Sequence, residues 1–144
     1  MALGGNQGPV EQTLRLALRH LEASLGPLRV APFIRTLPVS PISQPEYLNT
    51  AAVGWTSLPP EAVLALAKAL ELAAGRRRGP RFGPRPLDVD LLLYGAVESS
   101  APELTLPHPR LRERRFVLEP LAAIAPDLPV PPDGVTVGEL LSRL

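Results

Sequence analysis

The segment Gly83-Pro84-Arg85-Pro86-Leu87-Asp88-Val89-Asp90-Leu91-Leu92-Leu93-Tyr94-Gly95 constrains this chain more than any other. Leu87, Val89, Leu91, Leu92 and Leu93 read as a buried strand that Gly95 stops, and Asp88 and Asp90 interrupt it. On a strand, residues i and i+2 share a face, with Cα atoms roughly 6.6–6.8 Å apart. The two carboxylates therefore stand side by side. On a core strand they repel each other and lose hydration, a cost that a cation offsets. An all-oxygen donor pair suits Mg²⁺, which is usually held by one or two carboxylates plus substrate phosphates. The plainer reading is a pair of surface salt bridges on an edge strand, but the flanking residues are too apolar for an exposed edge.

Arginines bracket the acidic pair. Arg76, Arg77, Arg78, Arg81 and Arg85 precede it, and Arg110, Arg112, Arg114 and Arg115 follow it. Guanidinium is a planar fork that matches phosphate oxygens. Carboxylates for metal between arginine-rich loops are the ingredients of phosphoryl transfer. The positive charge is local, because the net charge is only +1. No general field draws the chain to nucleic acid.

A length of 144 residues suits one domain with its own core. No apolar run approaches the roughly 18–20 residues of a membrane span. No basic region followed by an apolar stretch marks a signal peptide at the start. The absence of cysteine excludes disulfides and thiolate metal sites and fits a cytoplasmic setting. Nineteen prolines sit largely in loops. Loop proline and scarce lysine fit a thermophilic source, and a GC-rich genome gives the same bias.

Met1 to Gly4 reads as the stub of a strand. Val10, Leu14, Leu18, Leu21 and Leu25 recur at helical spacing and predict a helix over 10–25, closed by Gly26-Pro27. A strand over 28–36, a proline-rich loop over 37–46 and a second strand over 47–56 follow. Residues 59–74 predict a helix with proline in the first turn and Gly75 past the end. Then come an arginine loop over 76–82, the acidic strand over 87–94 and a short strand over 104–106. A helix over 115–124 is limited or bent by Pro120. A terminal helix covers 137–144. Strand, helix, strand, strand, helix, strand is the split β-α-β order. The expectation is one α+β domain over 1–144, ferredoxin-like, with helices packed on an antiparallel or mixed sheet.

Gly83-Pro84-Arg85-Pro86-Leu87-Asp88-Val89-Asp90 resembles the signature of the 6-hydroxymethyl-7,8-dihydropterin pyrophosphokinase family of folate biosynthesis. The likeness covers almost the whole chain. Leu3-Gly4-Gly5-Asn6 is similar to the family's opening turn. Arg35-Thr36 and Gln44-Pro45-Glu46-Tyr47-Leu48-Asn49 are similar to its pterin loop and following strand. Leu106-Pro107-His108-Pro109 and Arg114-Arg115-Phe116-Val117-Leu118-Glu119-Pro120-Leu121 are similar to its nucleotide side. The resemblance implies transfer of the β,γ-pyrophosphoryl group of ATP to the pterin hydroxymethyl oxygen, with release of AMP. It implies two Mg²⁺ ions held by Asp88 and Asp90.

The same resemblance implies the remaining site residues. The pterin ring would lie between Tyr47 and Phe116, with Asn49 on its polar edge and Thr36, Leu37, Pro38, Val39 and Phe82 around it. ATP would meet Lys68, Arg78, Leu91, His108 and Arg114. Arg76, Arg78 and Arg85 would be catalytic. Three departures stand out. The first strand is short. Phe82 stands where the family often has tryptophan. The loop over 75–82 is one residue shorter, which leaves the assignment among Arg76, Arg77 and Arg78 open by one position. Gly4-Gly5-Asn6-Gln7-Gly8 lacks the lysine-serine ending of a P-loop and reads as a structural turn. Glu71 reads as a polar partner of the arginine loop.

Two other functions fit less well. A palm-type nucleotidyltransferase also sets two aspartates on such a sheet but releases pyrophosphate. An RNA-binding module needs exposed sheet aromatics and a basic balance, against 4% aromatics and a net charge of +1 here. The expected partners are ATP and a hydroxymethyl-dihydropterin, with no nucleic acid and no membrane, on a monomer.

Overall fold

Proline and glycine set the element boundaries. The computed structural model describes residues 1–37, 42–75 and 83–144. Strand β1 (Ala2–Gly5) leads to helix α1 (Val10–Leu25). That helix buries Leu14, Ala17, Leu21 and Leu25 and carries an exposed Arg15–Glu11 pair at 2.9 Å. It ends where Gly26 takes a φ of 100°, which side chains disfavour. Strands β2 (Leu28–Val30), β3 (Ile34–Thr36) and β4 (Tyr47–Gly54) follow, then α2 (Pro60–Ala73) and β5 (Asp88–Asp90). Two short hairpins, β6 (Ser99–Ala101) with β7 (Leu104–Leu106) and β8 (Pro129–Val130) with β9 (Val135–Thr136), flank α3 (Arg115–Ile124). Helix α4 (Val137–Ser142) closes the chain, capped by the Thr136 hydroxyl, which accepts from the Glu139 N–H.

The main sheet runs β2-β4-β1-β5, with β3 also on β4, and every pairing is antiparallel. Alternation sorts its faces. Leu3, Leu48, Ala52 and Val89 point into a core closed by α1 and α2. Ala51 points the other way, beneath Val117, Leu118 and Leu121 of α3, with Val137 and Leu140 of α4 in the same cluster. On this second face α3 and α4 cover only part of the sheet. The uncovered part carries Gly4, Asn49, Asp88 and Asp90.

The strand expected over 28–36 is two strands. Val30 pairs with Ala52 and Ile34 with Asn49, so three residues face two and a bulge forms. Pro32 lies in it and has no N–H to give a ladder. The acidic strand is also shorter than expected, covering only Asp88–Asp90. Its pairing with β1 ends where Ala2 faces Asp90. Leu91 and Leu92 stay buried without strand pairing. Helix α3 continues through Pro120, which is buried with it. The two hairpins were not foreseen as pairs.

Leu118 on α3 is 0% exposed. Leu118→Ala should lower unfolding stability by ~2–5 kcal/mol, read from the urea midpoint, because a cavity opens where the helix meets the sheet.

Candidate active site

The open part of the second face is the floor of a cavity of about 720 Å³. Its floor comes from β1, β4 and β5, and its walls from Thr36, Leu37, Gln44, Arg85 and the segment 108–117. That size suits a small ligand with a few polar groups.

Asp88 and Asp90 lie at consecutive same-face positions of β5 and both line the cavity. Arg85 lies beside them, with a guanidinium nitrogen 4.0 Å from an Asp88 oxygen. Its backbone is fixed from below by Asn6. The Asn6 N–H donates to the Arg85 carbonyl at 2.8 Å, and the Arg85 N–H donates to Asn6 Oδ1 at 2.8 Å. The Asn6 amide nitrogen then donates to Gln44 Oε1 at 2.8 Å and to the Pro45 carbonyl at 2.9 Å. One buried amide therefore joins both rims of the cavity to the end of β1. Gly5 makes this approach possible, since a Cβ there would sit 2.6 Å from the Pro86 carbonyl oxygen. The opening turn is thus a structural junction, as its sequence suggested.

Asn49 is 8% exposed, and its amide donates to the Thr36 hydroxyl at 2.6 Å. Its Oδ1 lies over Gly4, where a Cβ would come within 2.5 Å. Tyr47 and Phe116 both line the cavity, and the Arg114 guanidinium sits 5.6 Å from the Phe116 ring centre. The two rings are half-buried, which suits a planar ligand better than closed core packing does.

His108 N–H donates to the Leu92 carbonyl at 2.8 Å, which holds the residue against the sheet. Its Nδ1 accepts the Arg110 N–H at 3.2 Å, so the neutral ring carries its proton on Nε2. Burial pushes its pKa below the ordinary value of 6.5, with nearby Asp90 opposing and Arg114 and Arg110 assisting.

The second arginine cluster divides. Arg110 and Arg114 line the cavity. Arg112 instead holds Asp133 through contacts of 2.7 and 3.1 Å. The Arg115 guanidinium donates to the Leu144 carbonyl at 3.1 Å, although Arg115 still borders the cavity. Of the other expected residues, Lys68 and Leu91 do not line the cavity. Lys68 is exposed on α2, 3.6 Å from Glu71, and Leu91 packs in the core on the opposite face. Pro38, Val39, Arg76, Arg78 and Phe82 lie outside the described residues. Sequence reasoning passed over Gln44, Glu113 and Gly4 as lining residues. For Gly4 the signal was available, because glycine within a strand often marks a close approach.

Residues 1–126 match the model of the 7,8-dihydro-6-hydroxymethylpterin-pyrophosphokinase family. The chain belongs to that family. It is 42% identical to the 2-amino-4-hydroxy-6-hydroxymethyldihydropteridine pyrophosphokinase of Methylorubrum extorquens, over 100% of this chain and 91% of that one. It is 39% identical to the Pseudomonas aeruginosa protein of the same name, over 99% of this chain and 88% of that one. It is also 43% identical to the mitochondrial folate synthesis bifunctional protein of Arabidopsis thaliana, over 84% of this chain but only 22% of that one. The activity is pyrophosphoryl transfer from ATP to hydroxymethyldihydropterin in folate synthesis.

Gly4→Ala should displace the Asn49 amide from Thr36. It should weaken binding of hydroxymethyldihydropterin far more than binding of ATP alone, as calorimetry of each ligand would show. A pH titration of the His108 ring protons by NMR should give a midpoint below 6.5. Since the unfolded chain holds this proton more tightly, protonation of His108 disfavours the fold as pH drops below about 6.5. His108→Gln should flatten that part of the stability–pH curve, read as the urea midpoint between pH 5 and 7.

Proposed function

We propose that pyrophosphoryl transfer takes place in this cavity, with the pterin at the Tyr47–Asn49 end and the triphosphate over Asp88 and Asp90. The observation that carries the reading is the convergence of two same-face carboxylates, a flat-ring site and arginines on one uncovered sheet face. Among the described residues no group of three or more acidic or histidine side chains forms a metal cage. Two carboxylates suffice for Mg²⁺ when substrate phosphates complete its shell, so the donor set fits. Bound there, two Mg²⁺ ions would neutralise phosphate charge and help align the transferring group.

The chain's own groups do the rest. Tyr47 and Phe116 hold the ring between them, and Thr36 and Leu37 bound it. Asn49 meets its polar edge, with the amide orientation fixed by Thr36. In this reading the hydroxymethyl oxygen faces β5 and attacks the β-phosphorus, with AMP as leaving group. Arg85 and Arg114 bind phosphate oxygens, and His108 offers its Nε2–H to the nucleotide. The family resemblance adds Arg76 and Arg78 for the phosphates and Pro38, Val39 and Phe82 for the pterin, all outside the described residues. Lys68 and Leu91 would act at the outer end of the nucleotide or through the core beneath it.

The order β5-β1-β4-β2, with α1 and α2 on one face, supports reading the sheet as ferredoxin-like. We read residues 1–144 as one pyrophosphokinase domain. Both walls of the cavity come from one chain, which supports a monomer. No described helix is long and apolar enough to cross a membrane. A cysteine-free chain that consumes ATP suits the cytoplasm.

Incubation with ATP, Mg²⁺ and 6-hydroxymethyl-7,8-dihydropterin should yield AMP and the pterin diphosphate. ADP, or free pyrophosphate without a pterin product, would rule the reading out. Asp88→Ala and Asp90→Ala should each lower kcat on the order of a thousandfold or more, since metal charge stabilisation supplies several kcal/mol. Each should melt no lower than the unaltered protein in metal-free buffer, because a like-charge contact is gone. Turnover near normal in either variant at saturating Mg²⁺ would remove that residue from the metal site.

A further inference from the structure

Among the described residues, Glu71 is the one buried acid, at 2% exposure. It lies on α2, on the face of the sheet opposite the cavity. Its Oε2 accepts the Val89 N–H at 2.9 Å, and its Oε1 is 3.6 Å from the Lys68 ammonium. Val89 is the middle residue of β5, between Asp88 and Asp90. That strand has three residues and, among the described residues, pairs only with β1. Its outer edge would otherwise offer an unpaired buried N–H, which is costly. A neutral acceptor would satisfy the amide equally well.

We propose that Glu71 is a positioning residue for the cation site. It holds the Val89 peptide from the open edge, so that the carboxylates on either side of that peptide stay turned into the cavity. The inference rests on the reading of Asp88 and Asp90 as cation ligands. Helix α2 then fixes the acidic strand from behind, while β1 fixes it from the side. Partners that orient ligands in this way typically contribute 10–100-fold to metal affinity.

Three forms of the metal-free protein test this: unaltered, Glu71→Met and Glu71→Gln. Methionine keeps the volume and removes the acceptor, whereas glutamine keeps an acceptor oxygen. The unaltered protein should show a scalar coupling across the hydrogen bond between Val89 nitrogen and the Glu71 carboxyl carbon. Lack of that coupling overturns the inference without any variant. Mn²⁺ then serves as the probe, followed by broadening of the Asp88 and Asp90 amide signals. E71M leaves the Val89 N–H without this acceptor and should melt lower; well below that melting temperature it should exchange its Val89 amide faster and bind Mn²⁺ roughly 10–100-fold more weakly. E71Q should restore both Val89 protection and Mn²⁺ binding. A purely structural role would lower the melting temperature of E71M with Mn²⁺ affinity kept in the folded protein, and that retained affinity would overturn the proposal. So would E71Q binding as weakly as E71M. No broadening at Asp88 and Asp90 in the unaltered protein would overturn the cation reading itself and this inference with it. That failure is separate from the failure of E71M to differ.

Discussion

The register of β1 against its two neighbours is the constraint on which the site depends. Gly4 faces Asn49 on one side and Asp88 on the other, while Leu3 faces Thr50 and Val89. Side chains alternate with period two, so a slip of one residue would bury both aspartates among Leu14, Leu21 and Val63. It would also turn Leu3 and Val89 into the cavity. The free energy that fixes this register comes from the apolar face. Burial of a leucine or valine is worth ~1.5–3 kcal/mol, and a misplaced carboxylate costs more than that. The hydrophobic core therefore positions the carboxylates without touching them.

A register fixes a floor but not a rim. The rim residues come from loops that share no ladder with the sheet, and Asn6 connects them. Its side chain and backbone N–H together make four hydrogen bonds, to Arg85, Gln44 and Pro45. All of its polar capacity on that side is used within a buried setting of 4% exposure. Such bonds are electrostatically stronger away from water, and leaving one unmade is costly. A short amide at the end of the central strand can reach both rims because Gly5 beside it has no side chain. Asparagine also offers the donor and acceptor pair that these two loops need, which aspartate could not supply.

The sequence carried the helices well. Residues 10–25 and 115–124 were legible to the residue, because proline, glycine and a regular apolar stripe mark their ends. The strand over 28–36 was read as continuous although Pro32 falls inside it, where a missing N–H breaks the ladder. The run 87–94 was apolar enough for a strand along its length, yet strand formation needs a partner, and β1 stops at Ala2. Pairing of this kind is non-local and invisible to a pattern. Within the site, Asp88, Asp90, Tyr47, Asn49, His108, Arg114 and Phe116 were legible and do come together. Sorting Arg112 from Arg110 was not possible, because Asp133 lies 21 residues from Arg112 and only the fold brings it near. Glu71 was read as a polar partner of the arginine loop, which lies outside the described residues; among those, its carboxylate accepts the Val89 N–H of the acidic strand.

The division of charge between floor and wall follows from where each kind of residue can be held. A carboxylate on a strand has a short side chain and a fixed backbone, so its oxygens can be placed closely. Guanidinium groups stand on long stems and tolerate loop positions, since their planar forks adjust to meet a phosphate. Arg114 is the N-cap residue of α3, and Arg115 and Phe116 begin that helix at the cavity edge. The positive end of the helix dipole therefore adds to the arginines on the same wall. An anion entering between wall and floor meets donors on one side and carboxylates on the other. It is repelled by the floor unless cations cover Asp88 and Asp90. In the proposed reading, cations over Asp88 and Asp90 would offset that repulsion, and the aromatic end of the cavity would be left for a neutral ring.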